Sequence, residues 1–531
     1  MSDNAKQRYF DEIETPAGHA EQIKRLKYCV GGKWQVSATD KYMDCFNPSL
    51  GQVIAKAPCC TQSEVEAAIA AAQAAFPAWA DTPASKRVQV LYRMKALVDE
   101  HLEELTHLLC KEEGKNWRES MGDVLKVNEV VEFACGIPHL LKGVSGMNVS
   151  AGYDTVLYNE PLGVFAGIAP WNFPAMIPHG WMTPLCIATG NTIVLKAASF
   201  VPQSSMRLLE LWMEAGLPPG VINIVTTSRN EAEILLKHPD IIGVSFVGST
   251  AVGQHIYATA AAHGKRVQAL TEAKNHALVL RDCKLERTAR GIINAYCGCA
   301  GARCMACPVI VVEECIADEM IGLLKKFVAE LNLGPAYDPN TGMGPIMNAG
   351  HLKFVTDWIQ KGVDEGAELI VDGRNPKMAP PYDKGFYLGP SIFDKVTEDM
   401  SVGREEIFGP VLCVKRVHNF EEGLAIMNAS RFANGSVIYT QNGHYAREFS
   451  KRTHAGMVGI NVGIPVPLGI FGFTGHKQSF FGDLHVMGTD GVRFFTEQKN
   501  VTATWFPEDM GDCGKVDTWD GTISSMPVEK K

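Results

Sequence analysis

Val164-Phe-Ala-Gly-Ile-Ala169, Thr192-Ile-Val-Leu195, Val221-Ile-Asn-Ile-Val225 and Val244-Ser-Phe-Val247 are four short apolar runs within one part of a 531-residue chain. Each is rich in β-branched residues and bounded by Gly, Pro, Asn or Ser, which reads as a buried strand. Amphipathic helical patterns lie between them, at Ser204–Ala215 and Glu231–Lys237. Strands buried on both faces and alternating with helices predict a parallel, doubly wound α/β sheet.

The second half repeats the pattern. A helix over Leu285–Tyr296 leads to a Cys-rich turn, and Pro308–Val312 reads as a buried strand. Helices over Ile316–Leu331 and Leu352–Glu365, with strands near Leu369–Val371 and Val411–Val417, complete a second α/β unit. Two such units place the expected site in the cleft between them.

Composition bounds the function. The formal net charge of −9 gives no basic surface for a nucleic-acid partner. No run of about twenty apolar residues predicts a membrane span. The first residues lack an apolar signal core and carry Asp3, Asp11, Glu12 and Glu14, so neither a secretory nor an organelle signal is expected. The 15 cysteines do not space as a disulfide framework, and the cytoplasm is the expected compartment. The polar, aperiodic first twenty-five residues and the tail after Phe506 are expected to be exposed.

The segment Cys297-Gly-Cys-Ala-Gly-Ala-Arg-Cys304-Met-Ala-Cys307 allows three readings. It lacks paired CxxC knuckles and nearby His, which weighs against a metal site. Inert packing and a nucleophilic thiol both fit the spacing. Arg303 beside Cys304 would raise the thiolate fraction, although a surface charge is the blander account.

Four motifs decide between these readings. Pro170-Trp-Asn172-Phe-Pro174, Phe246-Val-Gly-Ser249, Gly301-Ala-Arg-Cys-Met-Ala306 and Glu406-Ile-Phe-Gly-Pro410 follow the order and spacing of the aldehyde dehydrogenase superfamily, which the chain resembles from about Tyr28 to Trp505. The resemblance implies two doubly wound parallel-sheet domains plus a small β oligomerisation arm. The expected bounds are 1–27 for an N-terminal extension, 28–146 with 161–284 for NAD(P) binding, 147–160 with 484–506 for the arm, 285–483 for the catalytic domain and 507–531 for a tail. The arm implies a homodimer or homotetramer. Cys304 is then the nucleophile that forms a thioester, and Asn172 the side-chain oxyanion donor. Trp171, Lys196, Ser199, Gly248, Ser249, Glu406 and Phe408 match cofactor-binding positions. Ser199 stands where NAD-preferring relatives place a Glu, so NADP is feasible, with NAD kept slightly ahead.

The wording Gly264-Lys-Arg-Val-Gln-Ala269, Ala273-Lys-Asn-His276 and Arg303-Cys-Met-Ala306 is similar to the methylmalonate-semialdehyde and malonate-semialdehyde dehydrogenase subfamily. That subfamily lacks the water-activating Glu and passes its acyl group to coenzyme A. Leu270 occupies the base position here, and a thiol acceptor does not need that base. Glu272 as a displaced base, giving a free acid, is the alternative. Arg303 and Lys126 match the two arginines that grip a substrate carboxylate. Lysine keeps the charge but loses the bidentate fork, so a short aldehyde bearing a carboxylate or a sulfonate is expected. Phe173 joins this pocket. Relatives are one residue shorter across Ile177-Pro-His-Gly-Trp-Met-Thr-Pro184, which sets His179 toward either substrate or solvent.

Overall fold

The computed structural model describes residues 8–150 and 153–505. Among these described residues one compact unit comprises 8–141 and 160–497, and a second comprises 142–150, 153–159 and 498–505. Among the described residues no helix is long and apolar enough to cross a membrane.

The first unit contains two large sheets. The strands β1 (Val164–Ile168), β2 (Thr192–Lys196), β3 (Ile222–Val225), β4 (Ile241–Val247) and β5 (Arg266–Leu270) run parallel in the order β5-β4-β1-β2-β3. Antiparallel strands extend both sides: Phe480–Gly482 beyond β5, and Tyr28–Val30 with Lys33–Gln35 beyond β3. The chain starts in the middle at β1, winds outward through β3, then returns to β4 on the other side of β1. That reversal opens a crevice at the carboxyl ends of β1 and β4, where such sheets bind ligands. Pro170–Phe173 leave β1 there, and Gly248–Ser249 leave β4.

The second sheet uses β6 (His276–Val279), β7 (Val309–Glu313), β8 (Ser391–Asp394), β9 (Val411–Val417), β10 (Gly435–Tyr439) and β11 (Met457–Ile460). These are parallel in the order β8-β9-β7-β6-β10-β11, with antiparallel Glu368–Val371 beside β8. β6 and β7 are fully buried along their length, and apart from His276 and Glu313 at their ends their residues are apolar.

Helix α1 (Trp117–Ala134) starts where the Asn116 side chain accepts the Glu119 N–H at 3.0 Å. Its Glu119, Gly122, Asp123 and Lys126 are spaced i, i+3, i+4, i+7, so they share one face. Helix α2 (Thr250–Ala262) follows β4, and helix α3 (Leu285–Cys297) leads to the Cys-rich turn.

Three expectations are corrected. The N-terminal extension is not simply exposed: Phe10–Glu12 and Lys24–Leu26 pair as strands, and Tyr9 is buried against Trp34. The three-stranded sheet of the second unit is Ser145–Ser150, Tyr153–Pro161 and Thr496–Thr504, so the C-terminal arm begins later than residue 484. Phe494 and Phe495 instead pack on Phe165 of β1, in the core. The segment containing His179 is no ordinary surface helix. Ile177–Met182 forms widened π-type turns, the usual way a helix absorbs one extra residue. The tail after Phe506 lies outside the described residues.

Candidate active site

Cys304 sits just upstream of β7, after a turn in which Cys299 (φ 52°), Ala300 (φ 49°) and Gly301 (φ 78°) are all left-handed. Two consecutive non-glycine residues in that region are strained, and such strain persists only where the surroundings hold it. Glu119 holds it here, by accepting the Cys299 N–H at 2.7 Å. Gly301 is obligatory for a second reason: a Cβ there would lie 2.1 Å from the Gly409 carbonyl carbon. The thiol turn thus abuts the loop that carries Glu406 and Phe408.

Asn275 fixes the backbone that follows. Its Nδ2 donates to the carbonyls of Cys304 (2.9 Å) and Ala306 (2.7 Å), and its Oδ1 accepts the Gly435 N–H at 2.8 Å. One amide thereby ties together the starts of β6, β7 and β10. Desolvation pushes the Cys304 thiol up to about 12, with Glu406 adding to the effect and Arg303 opposing it.

Asn172 is buried, and its Nδ2 donates to the Ala302 carbonyl at 3.1 Å. That bond uses one amide hydrogen and sets the orientation of the other. A buried ion pair anchors the Asn172 loop. Lys115 Nζ donates to Asp123 at 2.7 Å and to the Asn172 carbonyl at 2.7 Å, while the other Asp123 oxygen accepts the Met176 N–H at 2.7 Å. The same ammonium lies 3.8 Å from the Phe173 ring centroid.

A cavity of about 310 Å³ opens over the thiol, lined by Cys304, Phe173, Arg303, Lys126, Arg118 and Phe473 among others. Its charges are mostly paired. Arg303 donates to Glu119 at 3.3 Å, and Lys126 to Glu129 at 2.7 Å. His179 is absent from the lining. It is fully buried, pairs its Nε2 with Ser205 Oγ at 2.9 Å, and burial pulls its pKa down to about 3. Neither expectation for His179 holds, because the widened turns rotate it into the core.

The crevice at the ends of β1, β2 and β4 holds two adjoining cavities of about 320 and 360 Å³ that share Ala169, Lys196 and Arg229. Gly248 and Ser249 line the first, and Trp171 and Ser199 the second. A Cβ on Gly248 would meet the Phe246 ring at 2.4 Å, so only glycine lets the backbone pass there. Ser249 caps α2 without a side-chain bond to it, leaving amide hydrogens at the end of the helix. Lys196 makes no ion pair among the described residues, and desolvation brings it down to about 8. Ser199 Oγ points to the Thr227 carbonyl at 3.4 Å.

Phe408 is itself left-handed (φ 57°); its ring meets Trp171 edge-on at 5.5 Å, and its carbonyl meets His351 Nε2 at 2.7 Å. Glu406 accepts the Ala273 N–H at 3.0 Å, and desolvation, with Glu272 nearby, pushes it up to about 8. Glu272 accepts the Thr250 N–H at the start of α2 at 3.2 Å and does not line the cavity over Cys304. Leu270 is buried at the end of β5. Among the described residues, no three His, Cys, Asp or Glu side chains cluster so as to hold a metal ion.

Sequence reasoning missed Lys115, Asp123, Glu119, Arg118 and Asn275. The i, i+3, i+4, i+7 polar face of α1, on a helix whose other face is Val-rich, was the available signal for part of that set.

Comparison with known proteins agrees with this geometry. The aldehyde dehydrogenase family model matches residues 34–501. Malonate-semialdehyde dehydrogenase 1 of Geobacillus thermodenitrificans is 44% identical, over 91% of this chain and 99% of its own length. A candidate methylmalonate-semialdehyde dehydrogenase from Sinorhizobium meliloti, solved with NAD, superposes with TM-score 0.90 at 40% identity, covering 91% of this chain and 99% of that one. The methylmalonate-semialdehyde dehydrogenase of Oceanimonas doudoroffii gives TM-score 0.89, also at 40% identity with 91% and 99% coverage.

Proposed function

The chain belongs to the aldehyde dehydrogenase family, and on that premise we propose that it oxidises a short anionic aldehyde of the semialdehyde type with NAD and hands the acyl group from Cys304 to coenzyme A. Aldehyde oxidation follows from the family; the substrate charge, the dinucleotide and the acceptor are the proposal.

The crevice suits a nicotinamide dinucleotide. Gly248 and the start of α2, where Ser249 gives no side-chain cap and only the Thr250 N–H is taken by Glu272, fit a pyrophosphate, and Lys196, without an ion pair among the described residues, fits a ribose or its phosphate. Glu406 and Phe408 would hold the nicotinamide half. When bound, that group supplies the acceptor for the hydride leaving the aldehyde carbon. NAD is favoured over NADP by the relative solved with it, although Ser199 brings no carboxylate to repel a 2′-phosphate.

The protein's own residues do the rest. Cys304, deprotonated, attacks the aldehyde carbon, and the oxygen gains negative charge. Asn172 faces that charge with its free amide hydrogen, held in place beforehand by Ala302 and Lys115. Oxidation leaves an acyl group on the Cys304 sulfur.

One observation carries the choice of acceptor. The cavity over Cys304 contains two carboxylates, and each makes an ion pair, Glu119 with Arg303 and Asp123 with Lys115, while Glu119 Oε2 has no hydrogen-bond partner among the described residues. With Leu270 at the base position, Glu272 held by α2 and both lining carboxylates ion-paired, no carboxylate without an ion pair stands among the described lining residues to activate water. A thiol acceptor needs no such base. The test is reduced-cofactor formation from malonate semialdehyde, a sulfonated aldehyde and a neutral aldehyde, with and without coenzyme A. Multiple turnovers that require coenzyme A and yield an acyl thioester are expected. Coenzyme A-independent release of free acid would refute the acceptor and return Glu272 to the role of base.

A further inference from the structure

Glu272 puts a carboxylate where a dinucleotide would bring its own negative charge. It follows the end of β5, is partly exposed, and makes no ion pair among the described residues. It accepts the Thr250 N–H at 3.2 Å. Thr250 is the first residue of α2, directly after Gly248 and Ser249, which line the crevice. The nearby Glu406 is a second carboxylate; it accepts the adjoining Ala273 N–H at 3.0 Å, and the charge of Glu272 adds to its upward shift. The start of α2 is otherwise arranged for an anion from outside. A helix leaves its first N–H groups without partners of its own, at the positive end of its dipole. Ser249 does not cap them with its side chain. The Thr250 hydroxyl is buried and has no hydrogen-bond partner among the described residues. At Gly248 the backbone passes where a Cβ would meet the Phe246 ring at 2.4 Å. A phosphate brought to these groups meets a carboxylate already using one of them.

We propose that Glu272 is a built-in competitor for the cofactor's pyrophosphate: it occupies the start of α2 in the free protein, and the dinucleotide has to displace it. The proposal rests on the dinucleotide reading above and names the residue that limits affinity at that site. Both anions seek the same positive field, and the Thr250 amide can serve only one of them fully. A pyrophosphate held beside Glu272 would also face like charge at close range. Glu272 can give way at small cost. It is partly exposed, it leaves no cation behind, and its departure to water breaks one hydrogen bond to α2. Cofactor affinity is thereby set by a contest within the chain as well as by the contacts the cofactor makes.

The experiment measures Kd, without aldehyde, for NADH, ADP-ribose and adenosine in the unmodified protein, Glu272→Gln and Glu272→Ala. Titration calorimetry reads the first two ligands, and displacement of NADH fluorescence reads adenosine. ADP-ribose keeps the pyrophosphate and lacks the nicotinamide; adenosine lacks both. NADH and ADP-ribose should bind about three- to tenfold tighter in both variants, as expected for removing one competing charge at a helix start, and adenosine should bind unchanged. The gain should shrink as salt is raised. The free variants should melt below the unmodified protein, because α2 loses its anion, and saturating ADP-ribose should close that gap. ADP-ribose that binds no tighter in either variant overturns the proposal while leaving the dinucleotide reading intact. Equal tightening of adenosine overturns it as well, by placing the influence of Glu272 away from the pyrophosphate. An unmodified protein that binds neither NADH nor ADP-ribose overturns the dinucleotide reading itself.

Discussion

Removing the Lys115 ammonium tests how Asn172, the proposed oxyanion donor, is held. The side chain is 1% exposed and its partner Asp123 0%, so Lys115→Met strands a carboxylate in the interior. Breaking one side of such a buried pair costs about 3–5 kcal/mol, whereas replacing both sides by apolar groups is often close to neutral. The double variant Lys115→Met/Asp123→Leu should therefore regain most of the stability that Lys115→Met loses, read as midpoints of urea unfolding. Activity should not follow. Both variants remove the bond from Lys115 to the Asn172 carbonyl, and the double variant also frees the Met176 N–H. Losing one oxyanion donor lowers kcat by about 10²–10³-fold, which sets the ceiling for the effect. Steady-state reduced-cofactor formation should show a large drop in kcat for the double variant, with little change in aldehyde KM. A double variant that is stable and retains the native kcat would refute the idea that this pair positions Asn172.

Cys304→Ser should abolish aldehyde oxidation, and alkylation of Cys304 by iodoacetamide should accelerate about tenfold per pH unit across neutrality, because its thiol lies well above the ordinary range. A cofactor whose nicotinamide ring is positively charged should speed that alkylation at fixed pH; no change on adding NAD would place the ring away from the sulfur. Glu406 lies at about 8, so it gains its charge as pH rises through that value, and the charged form accepts hydroxyl hydrogen bonds more strongly. The KM for NAD should accordingly fall through that window, and Glu406→Gln should flatten the profile; an unchanged profile in the variant assigns the titration elsewhere. Gly301→Ala should not give active protein, since its Cβ would overlap the Gly409 backbone in a conformation already disfavoured for alanine. Soluble, fully active Gly301→Ala would show that the two loops can part.

The sequence was most readable where local chemistry and tertiary position agree. Val164–Ile168 and Val309–Glu313 are β-branched runs buried on both faces, and their strands are where the composition puts them. Arg266–Leu270 and His276–Val279 were missed because Arg266, Gln268 and His276 break the apolar run. Their polar atoms find partners that only the folded chain supplies, such as Ser245 for Gln268 and the Lys274 carbonyl for His276. The motif residues Asn172, Cys304, Glu406 and Phe408 could be named from their order, but not the groups that hold them. Lys115 and Asp123 are eight positions apart in an unremarkable helical entry, and nothing local says that they enclose the Asn172 loop. His179 failed for a related reason, because one additional residue in a helix turns every later side chain by about 100° unless the turns widen.

The Asn275 amide has a consequence for how the enzyme loses its competence. Its three backbone partners lie 29, 31 and 160 positions along the chain from it, so Cys304, the proposed nucleophile, acquires its final pose only once remote parts of the chain have met. Local opening that separates these stretches can precede global unfolding. Catalytic output should consequently vanish at denaturant concentrations that leave the helical signal in circular dichroism untouched.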